Sequence, residues 1–395
     1  MAKDYGKTLR ACYLGFITQA IGSNFAPLLF LRFHSEYGVS LGRIALISTV
    51  FYFVQLLVDV ICAKYVDRIG YRKSVVLSEV LSALGLIGLA VLPEVFRDPF
   101  TGIIAAVVVY AVGSGLIEVL VSPIVEACPF DRKDAVMTLL HSFYCWGTVG
   151  VIVLSTLFFS VFGIGRWKIM ACIWALIPLY NVYNFSVCPI ERLVDEGKGM
   201  SMGQLLRSKT MWTGIILMIC AGSSELAMAQ WASAFAESAL GLAKTTGDLL
   251  GPCLFAVTMG LCRVIYGKLG GRIELTKFMA ASGILCVICY LMASVSQNPL
   301  VGLIGCIMCG FSVGIMWPGT ISILSKNMPA GGTAMFALLA MAGDIGGSVG
   351  PSIVGSVTDM AGGDLRPGLL AGAVFPLILT LIVFAGAGKR KGMPE

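Results

Sequence analysis

Long apolar stretches separated by short polar loops recur along the whole of this 395-residue chain. A helix needs about 20 mostly apolar residues to cross the hydrocarbon core of a bilayer. The pattern predicts spans at 10–32, 42–64, 72–93, 99–124, 135–161, 167–187, 210–235, 246–267, 275–295, 299–325, 332–357 and 367–387. The sequence therefore predicts an all-α membrane protein with twelve transmembrane helices.

The longest polar segment, PIERLVDEGKGMSMGQLLRSKT, lies between the sixth and seventh spans. Its charges are mixed, which is typical of a solvated linker. We therefore expect an N-terminal six-helix half at 1–188, a cytoplasmic linker at 189–209 and a C-terminal six-helix half at 210–395.

The two halves resemble each other in sequence. At an offset of 204 residues, Lys64, Arg68 and Lys73 align with three residues of the second half, Lys268, Arg272 and Lys277. At an offset of 200, Gly147 and Gly150 align with Gly347 and Gly350. Parallel repeats of this kind are typical of transporters that expose a site near the membrane midplane to each side in turn.

Composition agrees with a membrane protein. Hydrophobic residues make up 57% of the chain and charged residues 13%, with a mean hydropathy of +0.88, whereas a soluble domain carries about a quarter charged residues. The net charge of +6 is spread over many loops, so nucleic acid is not an expected partner. The start, MAKDYGKTLR, runs into the first span without a cleavage site, which predicts a retained anchor.

The distribution of basic residues predicts the orientation. With both termini on one side, that side collects twenty of the loop Lys and Arg residues and the other side seven. Basic residues accumulate on the cytoplasmic side. Both termini are therefore expected to be cytoplasmic, in a multi-pass protein of the cell inner (plasma) membrane.

The loop after the second span carries a recognisable motif. Its residues are Asp67, Arg68, Gly70, Arg72 and Lys73, with Ala63 where a glycine is usual. This loop, together with the repeat, resembles the major facilitator superfamily. The resemblance implies a gate in which Asp67, Arg68, Arg72 and Arg272 hold helix ends or an acid of the other half.

The fourth span, GSGLIEVLVSP, resembles that of the fucose-permease-like sugar:proton symporters. Gly113, Gly115, Glu118 and Pro123 match that pattern, while Ser122 replaces an asparagine. GSSELAMAQW, MGLCRVIYGKLGGR and LHSFYCWGTVG are similar to the seventh, eighth and fifth helices of the same group. The first span, AIGSNFAPLLF, lacks the aspartate of that group, so its proton relay is not carried over intact.

Acidic and basic residues inside spans cost free energy to place in a bilayer, so they usually have a structural or functional role. Glu118 is expected to carry a proton or to accept hydrogen bonds from substrate, or alternatively to bond a neighbouring helix. Glu225 is the second candidate proton carrier, with an ion pair to Arg263 as the alternative. His141 and Asp344 are expected either to face the site or to support packing. Asp59 and Glu79 are expected to support the basic loop beside Arg68 and Arg72.

Neutral polar and aromatic residues are also candidates for substrate binding, because amides read hydroxyl groups and rings stack on sugar faces. These residues are Gln19, Asn24, Tyr144, Trp146, Gln230, Trp231 and Trp317. Their number predicts an uncharged polyhydroxy substrate, whereas an anionic one calls for several arginines. The thirteen cysteines are interpreted as small buried hydrophobic residues.

The sequence thus predicts a monomeric secondary transporter that imports a monosaccharide-like solute together with protons. An exporter of amphipathic compounds and a non-transporting membrane sensor are the alternatives. No GxxxxGK[ST], HExxH or GxSxG motif is present, so an enzyme is not expected. No cofactor and no metal are expected.

Overall fold

The computed structural model describes residues 4–194, 199–240, 249–270 and 272–390; within these ranges, side chains are described except at 41, 45, 231, 233–240, 249–250, 299 and 386–390. The described chain is helical throughout. In chain order the helices are α1 Tyr5–Leu28, α2 Phe30–Tyr37, α3 Leu41–Ile69, α4 Tyr71–Val95, α5 Pro99–Glu126, α6 Lys133–Phe162, α7 Trp167–Val187, α8 Met202–Arg207, α9 Lys209–Leu240, α10 Leu254–Leu269, α11 Leu275–Val295, α12 Pro299–Val313, α13 Met316–Asn327, α14 Gly332–Met360, α15 Leu365–Gly372 and α16 Val374–Arg390. Short 3₁₀ or π turns precede α7, α10 and α14.

Within the described residues, eleven helical segments are long and apolar enough to cross a membrane, and α1 with α2 forms a twelfth if that bent pair is one span. Many of their large apolar side chains point outwards, among them Val60, Ile61 and Leu157, which are each more than half exposed. Such an apolar exterior needs lipid as its solvent. The prediction of an all-α membrane protein is confirmed.

Three spans are divided, α1 from α2, α12 from α13 and α15 from α16, and each division lies within three residues of a proline. α1 and α2 meet at an angle of 49°, two residues after Pro27. In the tenth span, α12 ends at Val313 and α13 begins at Met316, just before Pro318. Proline has no N–H to donate to the carbonyl four residues earlier, and its ring pushes that carbonyl away.

The chain folds into two compact units. Unit 1 contains Met1–Pro129, Phe143–Met202 and Ala330–Leu338, and unit 2 contains Phe130–Ser142, Gly203–Pro329 and Leu339–Glu395. The start of α6 thus groups with the second half of the sequence, and the start of α14 with the first half. The predicted boundary at 189–209 remains a prediction.

Unit 1 has an aromatic core at one end. The Trp167 ring is fully buried, lies 5.3 Å from the Phe33 ring, and donates from Nε1 to Glu36 Oε2 at 2.8 Å. Nearby, Arg43 donates to Asp98 at 2.5 Å, and this bond lowers the pKa of the Asp98 carboxyl, helped by the Thr101 hydroxyl and the Phe100 N–H. These contacts fix the ends of α2, α3 and α5.

Unit 2 is held together by close helix contacts at glycine. A Cβ at Gly350 of α14 would lie 2.6 Å from the Ser223 carbonyl oxygen of α9, and a Cβ at Gly346 would collide with the Ile219 backbone. Ser223 Oγ in turn donates to the Gly346 carbonyl at 2.8 Å. Glycine at these positions therefore allows α9 and α14 to touch backbone to backbone.

Candidate functional site

A polar network in unit 1 joins α1 to α5 and α6. Gln19 is buried, and its Nε2 donates to Glu118 Oε2 at 2.9 Å. One turn further along α1, Asn24 Nδ2 donates to Thr148 Oγ1 at 3.2 Å and Ser23 Oγ lies 3.2 Å from Tyr144 Oη. This network contains four of the predicted substrate-binding residues, Gln19, Asn24, Glu118 and Tyr144.

Glycine allows the helices around this network to approach each other. A Cβ at Gly22 of α1 would lie 2.6 Å from Ser114 Oγ of α5, and a Cβ at Gly147 of α6 would lie 2.8 Å from the Ala20 Cβ of α1. A larger side chain at 147 would also crowd the Ile17 backbone and push α1 and α6 apart, whereas one at 22 would require the Ser114 hydroxyl to rotate away. The glycine pattern of the fourth and fifth spans thus positions Glu118 and Tyr144 beside α1.

Sequence reasoning missed two hydroxyl residues of this network, Ser23 and Thr148. Thr148 lies four residues after Tyr144 and Ser23 four residues after Gln19, so each shares a helix face with a predicted residue. That spacing is the signal that could have identified them. Trp146, also predicted, is half-buried on α6.

The second constellation lies in unit 2 around Arg263 of α10, which is 3% exposed. Its Nε donates to the Gly314 carbonyl at 2.8 Å, and its Nη1 donates to the His141 carbonyl at 2.9 Å. Its Nη2 lies 3.7 Å from Glu225 Oε2. The ion pair considered for Glu225 is therefore present, and the His141 carbonyl contributes to the same cluster.

Pro318 explains one of these contacts. Gly314 lies four residues before Pro318, so its carbonyl has no proline N–H to accept from in the helix. A buried carbonyl without a donor is costly. Arg263 supplies the donor, so the proline and the arginine form one structural unit.

Two further predicted residues of unit 2, Trp317 and Asp344, lie at α14 or against it. A Cβ at Gly343 would collide with the six-membered ring of Trp317, so the outer atoms of that ring lie against α14. The adjacent Asp344 has a buried Oδ2 for which the described residues provide no hydrogen-bond donor. Gln230 is exposed, and the side chain of Trp231 lies outside the described residues.

The predicted gating residues occupy different environments. In unit 1, Thr333 Oγ1 donates to Asp67 Oδ1 at 2.6 Å and lies 2.5 Å from Tyr71 Oη. Arg72 binds three carbonyls at the end of α7, those of Phe185, Ser186 and Cys188. Arg68 lines a cavity in unit 1, and Arg272 is exposed in unit 2.

The model of the Major Facilitator Superfamily matches residues 11–351 of the sequence. The chain belongs to the Major Facilitator Superfamily. It is accordingly a multi-pass membrane protein and a secondary transporter of that superfamily, not an enzyme. The family recognised from the loop motif and the repeat is confirmed.

Solved structures of this superfamily share the fold. FucP in its outward conformation gives a TM-score of 0.82 at 17% identity, over 95% of this chain and 98% of FucP. The proton:xylose symporter XylE, bound to 6-bromo-6-deoxy-D-glucose, gives 0.83 at 11% identity, over 96% and 95%. The human organic anion transporter MFSD10 gives 0.77 at 14% identity, over 97% and 100%. No curated protein matches the sequence.

The interpretation of the thirteen cysteines as small buried hydrophobic residues is wrong for Cys172, which is exposed. It also overlooks a pattern in the sequence. Cys286 and Cys289 on α11, and Cys306 and Cys309 on α12, form two Cys-x-x-Cys pairs. All four thiols are buried, and the Sγ atoms of Cys286 and Cys309 lie 3.8 Å apart. Within the part of the chain that the structure describes, no three His, Cys, Asp or Glu residues are placed to hold a metal ion.

Proposed function

We propose that this transporter carries a small neutral solute such as a monosaccharide into the cell together with protons. The observation that supports it most directly is the bond from Gln19 to Glu118, at 2.9 Å, within a network of amides and hydroxyls on α1, α5 and α6. Amides and hydroxyls both donate and accept hydrogen bonds, as a polyhydroxylated substrate requires.

In this proposal Glu118 carries the proton. The ionised carboxylate accepts from Gln19 Nε2, whereas the protonated acid also offers an O–H donor to a bound solute. Glu225 is the weaker candidate, because protonating it would leave the buried charge of Arg263 without its counter-ion, and an unpaired buried charge is costly. Substrate binding and protonation at Glu118 would together permit the change of conformation.

The charges of the described residues favour a neutral substrate. Arg263 is the one cation among the described residues with less than a tenth of its surface exposed, and its guanidinium already binds two carbonyls and Glu225. One structural neighbour is an organic anion transporter. An exporter of amphipathic compounds is therefore the second candidate function. The absence of an acid from the first span favours that candidate.

We further propose that the protein works as a monomer in the cell inner membrane with both termini in the cytoplasm. The support for this orientation is the distribution of loop Lys and Arg residues, twenty against seven. Basic residues near span ends stay on the cytoplasmic side.

The test is uptake of radiolabelled sugars into proteoliposomes, with and without an inward proton gradient. We expect gradient-driven accumulation of one sugar by the wild type. Glu118→Gln should abolish accumulation but keep counterflow exchange, because a permanently neutral residue binds solute without moving a proton. The exposed Glu274→Gln, which removes a carboxylate outside both polar networks, should accumulate like the wild type.

Two outcomes would contradict the proposal. If Glu118→Gln still accumulates sugar against a gradient, Glu118 is not the proton carrier. If no sugar moves but an amphipathic dye is expelled when the gradient is imposed, the exporter replaces the importer.

A further inference from the structure

Four buried cysteines lie on two neighbouring helices of unit 2. Cys286 and Cys289 are on α11, and Cys306 and Cys309 are on α12. Each of these side chains is at most 1% exposed. On either helix the two cysteines are three residues apart, so they share one helix face. The four thiols form a cluster that belongs to neither of the two polar networks.

The connection between the two helices places the cysteines opposite each other. α11 ends at Val295 and α12 begins at Pro299, so the short loop makes the helices run in opposite directions. Cys286 lies nine residues before the end of α11, and Cys309 lies ten residues after the start of α12. These two residues, the thiol pair, are therefore at nearly the same height. Their Sγ atoms lie 3.8 Å apart.

The surroundings of the thiol pair are closely packed and otherwise satisfied. A Cβ at Gly305 of α12 would lie 2.8 Å from the Cys289 carbonyl oxygen of α11, so the helices touch one turn away. The Tyr290 hydroxyl donates to the Ser224 carbonyl at 2.8 Å. Among the described residues, neither sulfur of the thiol pair has a hydrogen bond other than the one between them. Both sulfurs are thus available to a ligand that fits between them.

We propose that the thiol pair binds a soft monovalent metal ion, Cu(I). Sulfur ligands of cysteine select Cu(I), and this ion is commonly two-coordinate with a sulfur on either side. Bonds of about 2.3 Å, the length known for zinc and sulfur, place two sulfurs at most about 4.6 Å apart. The thiol pair, at 3.8 Å, reaches that spacing if it opens by about 0.8 Å. Bound Cu(I) would hold α11 against α12 and is not the solute transported.

The number of ligands separates Cu(I) from the metals that cysteine clusters more often hold. Structural zinc takes four ligands, and iron–sulfur clusters are held by four cysteine or histidine ligands. In the described part of the chain, no group of three His, Cys, Asp or Glu residues could hold a metal ion. Two sulfurs satisfy an ion that needs only two ligands.

The balance of charge also suits Cu(I). When Cu⁺ binds, one thiol of the pair loses its proton to water and the other keeps its proton. The complex of Cu⁺ with one thiolate and one thiol is neutral, which avoids the cost of burying a net charge. Because one proton leaves for each ion that binds, the affinity should rise about tenfold for each unit of pH.

The test is titration of the purified full-length protein with Cu(I), in detergent and without oxygen, against the coloured chelator bathocuproine disulfonate. We expect one bound Cu⁺ that depends on the thiol pair. Binding should raise the melting temperature, because an ion that binds only the folded state stabilises it. X-ray absorption at the copper edge should show two sulfur neighbours for this ion.

The variant Cys286→Ala/Cys309→Ala should weaken the apparent affinity at this site at least about tenfold. The control Cys289→Ala/Cys306→Ala removes two thiols from the same helices and should retain the affinity. If the first variant does not fold, Cys309→Ser keeps the size of the side chain but replaces a soft sulfur with a hard oxygen, and it should also bind more weakly. An equal loss in the control, no Cu⁺ bound by the wild type, or a disulfide between Cys286 and Cys309 in place of bound copper would overturn the proposal.

Discussion

At the scale of single residues, Glu79 shows how a buried acid is used inside unit 1. Its carboxylate accepts from Thr18 Oγ1 at 3.0 Å and from Asn181 Nδ2 at 2.7 Å, so it joins α4 to α1 and α7. The expectation that Glu79 supports the basic loop is therefore wrong. Its place near one end of a span was readable from the sequence, but the faces of α1 and α7 that meet it depend on tertiary packing.

Replacing Glu79 tests this role. Glu79→Leu leaves the buried Thr18 hydroxyl without its acceptor and the Asn181 amide with the Ala11 carbonyl alone, which should lower the free energy of unfolding by about 1–3 kcal/mol. Glu79→Gln keeps one carbonyl oxygen and should lose less. Thermal unfolding in detergent measures the loss of stability of each variant. If the Glu79→Leu protein has the same melting temperature as the wild type, these bonds do not stabilise unit 1.

At the scale of helices, the sequence predicted where spans lie far better than where they break. Runs of about 20 apolar residues are a strong signal, and the structure places a helical segment at each of the twelve predicted positions. The breaks after Leu28, Val313 and Gly372 were not predicted, although Pro27, Pro318 and Pro376 lie close to them. A proline shows where a helix can break, but whether it does depends on which neighbour satisfies the freed carbonyl.

Two glycines aligned by the internal repeat should respond differently to the same substitution. Gly350→Ala places a Cβ against the Ser223 backbone. This overpacking should lower the free energy of unfolding by about 1–3 kcal/mol. Gly150→Ala meets nothing within 4 Å and should be neutral or slightly stabilising, because alanine favours helix. Melting curves of the two variants are the measurement. Equal losses would contradict the close contact of α9 and α14.

At the scale of the whole molecule, the loop motif and the repeat were enough to predict the superfamily, which the family model over residues 11–351 confirms. The candidate site was predicted in part. Gln19, Asn24, Glu118 and Tyr144 were selected by residue type and are brought together by α1, α5 and α6. The grouping of Ala330–Leu338 with unit 1 was not predicted, because it rests on contacts such as that of Thr333 with Asp67.

That contact provides a test of the gate. If transport requires Ala330–Leu338 to leave the loop after α3, a bond between Asp67→Cys and Thr333→Cys should stop it. Sugar counterflow should fall to background after mild oxidation and return on reduction, because the native side-chain oxygens lie 2.6 Å apart. Each single variant is a control for oxidation of the native thiols. Undiminished counterflow in a protein whose cross-link is confirmed by peptide mass spectrometry would exclude this gate.

The pairing of Arg263 with the carbonyl freed by Pro318 has a consequence for how this protein can evolve. A lineage that loses the arginine first keeps a buried carbonyl without a donor and a buried Glu225 without a counter-ion. A lineage that loses the proline first restores the bond within the helix, and the arginine then keeps two of its three partners. The order of mutations is therefore constrained: relatives that lack Pro318 can keep Arg263 with Glu225, whereas relatives that lack Arg263 should lack both Pro318 and Glu225.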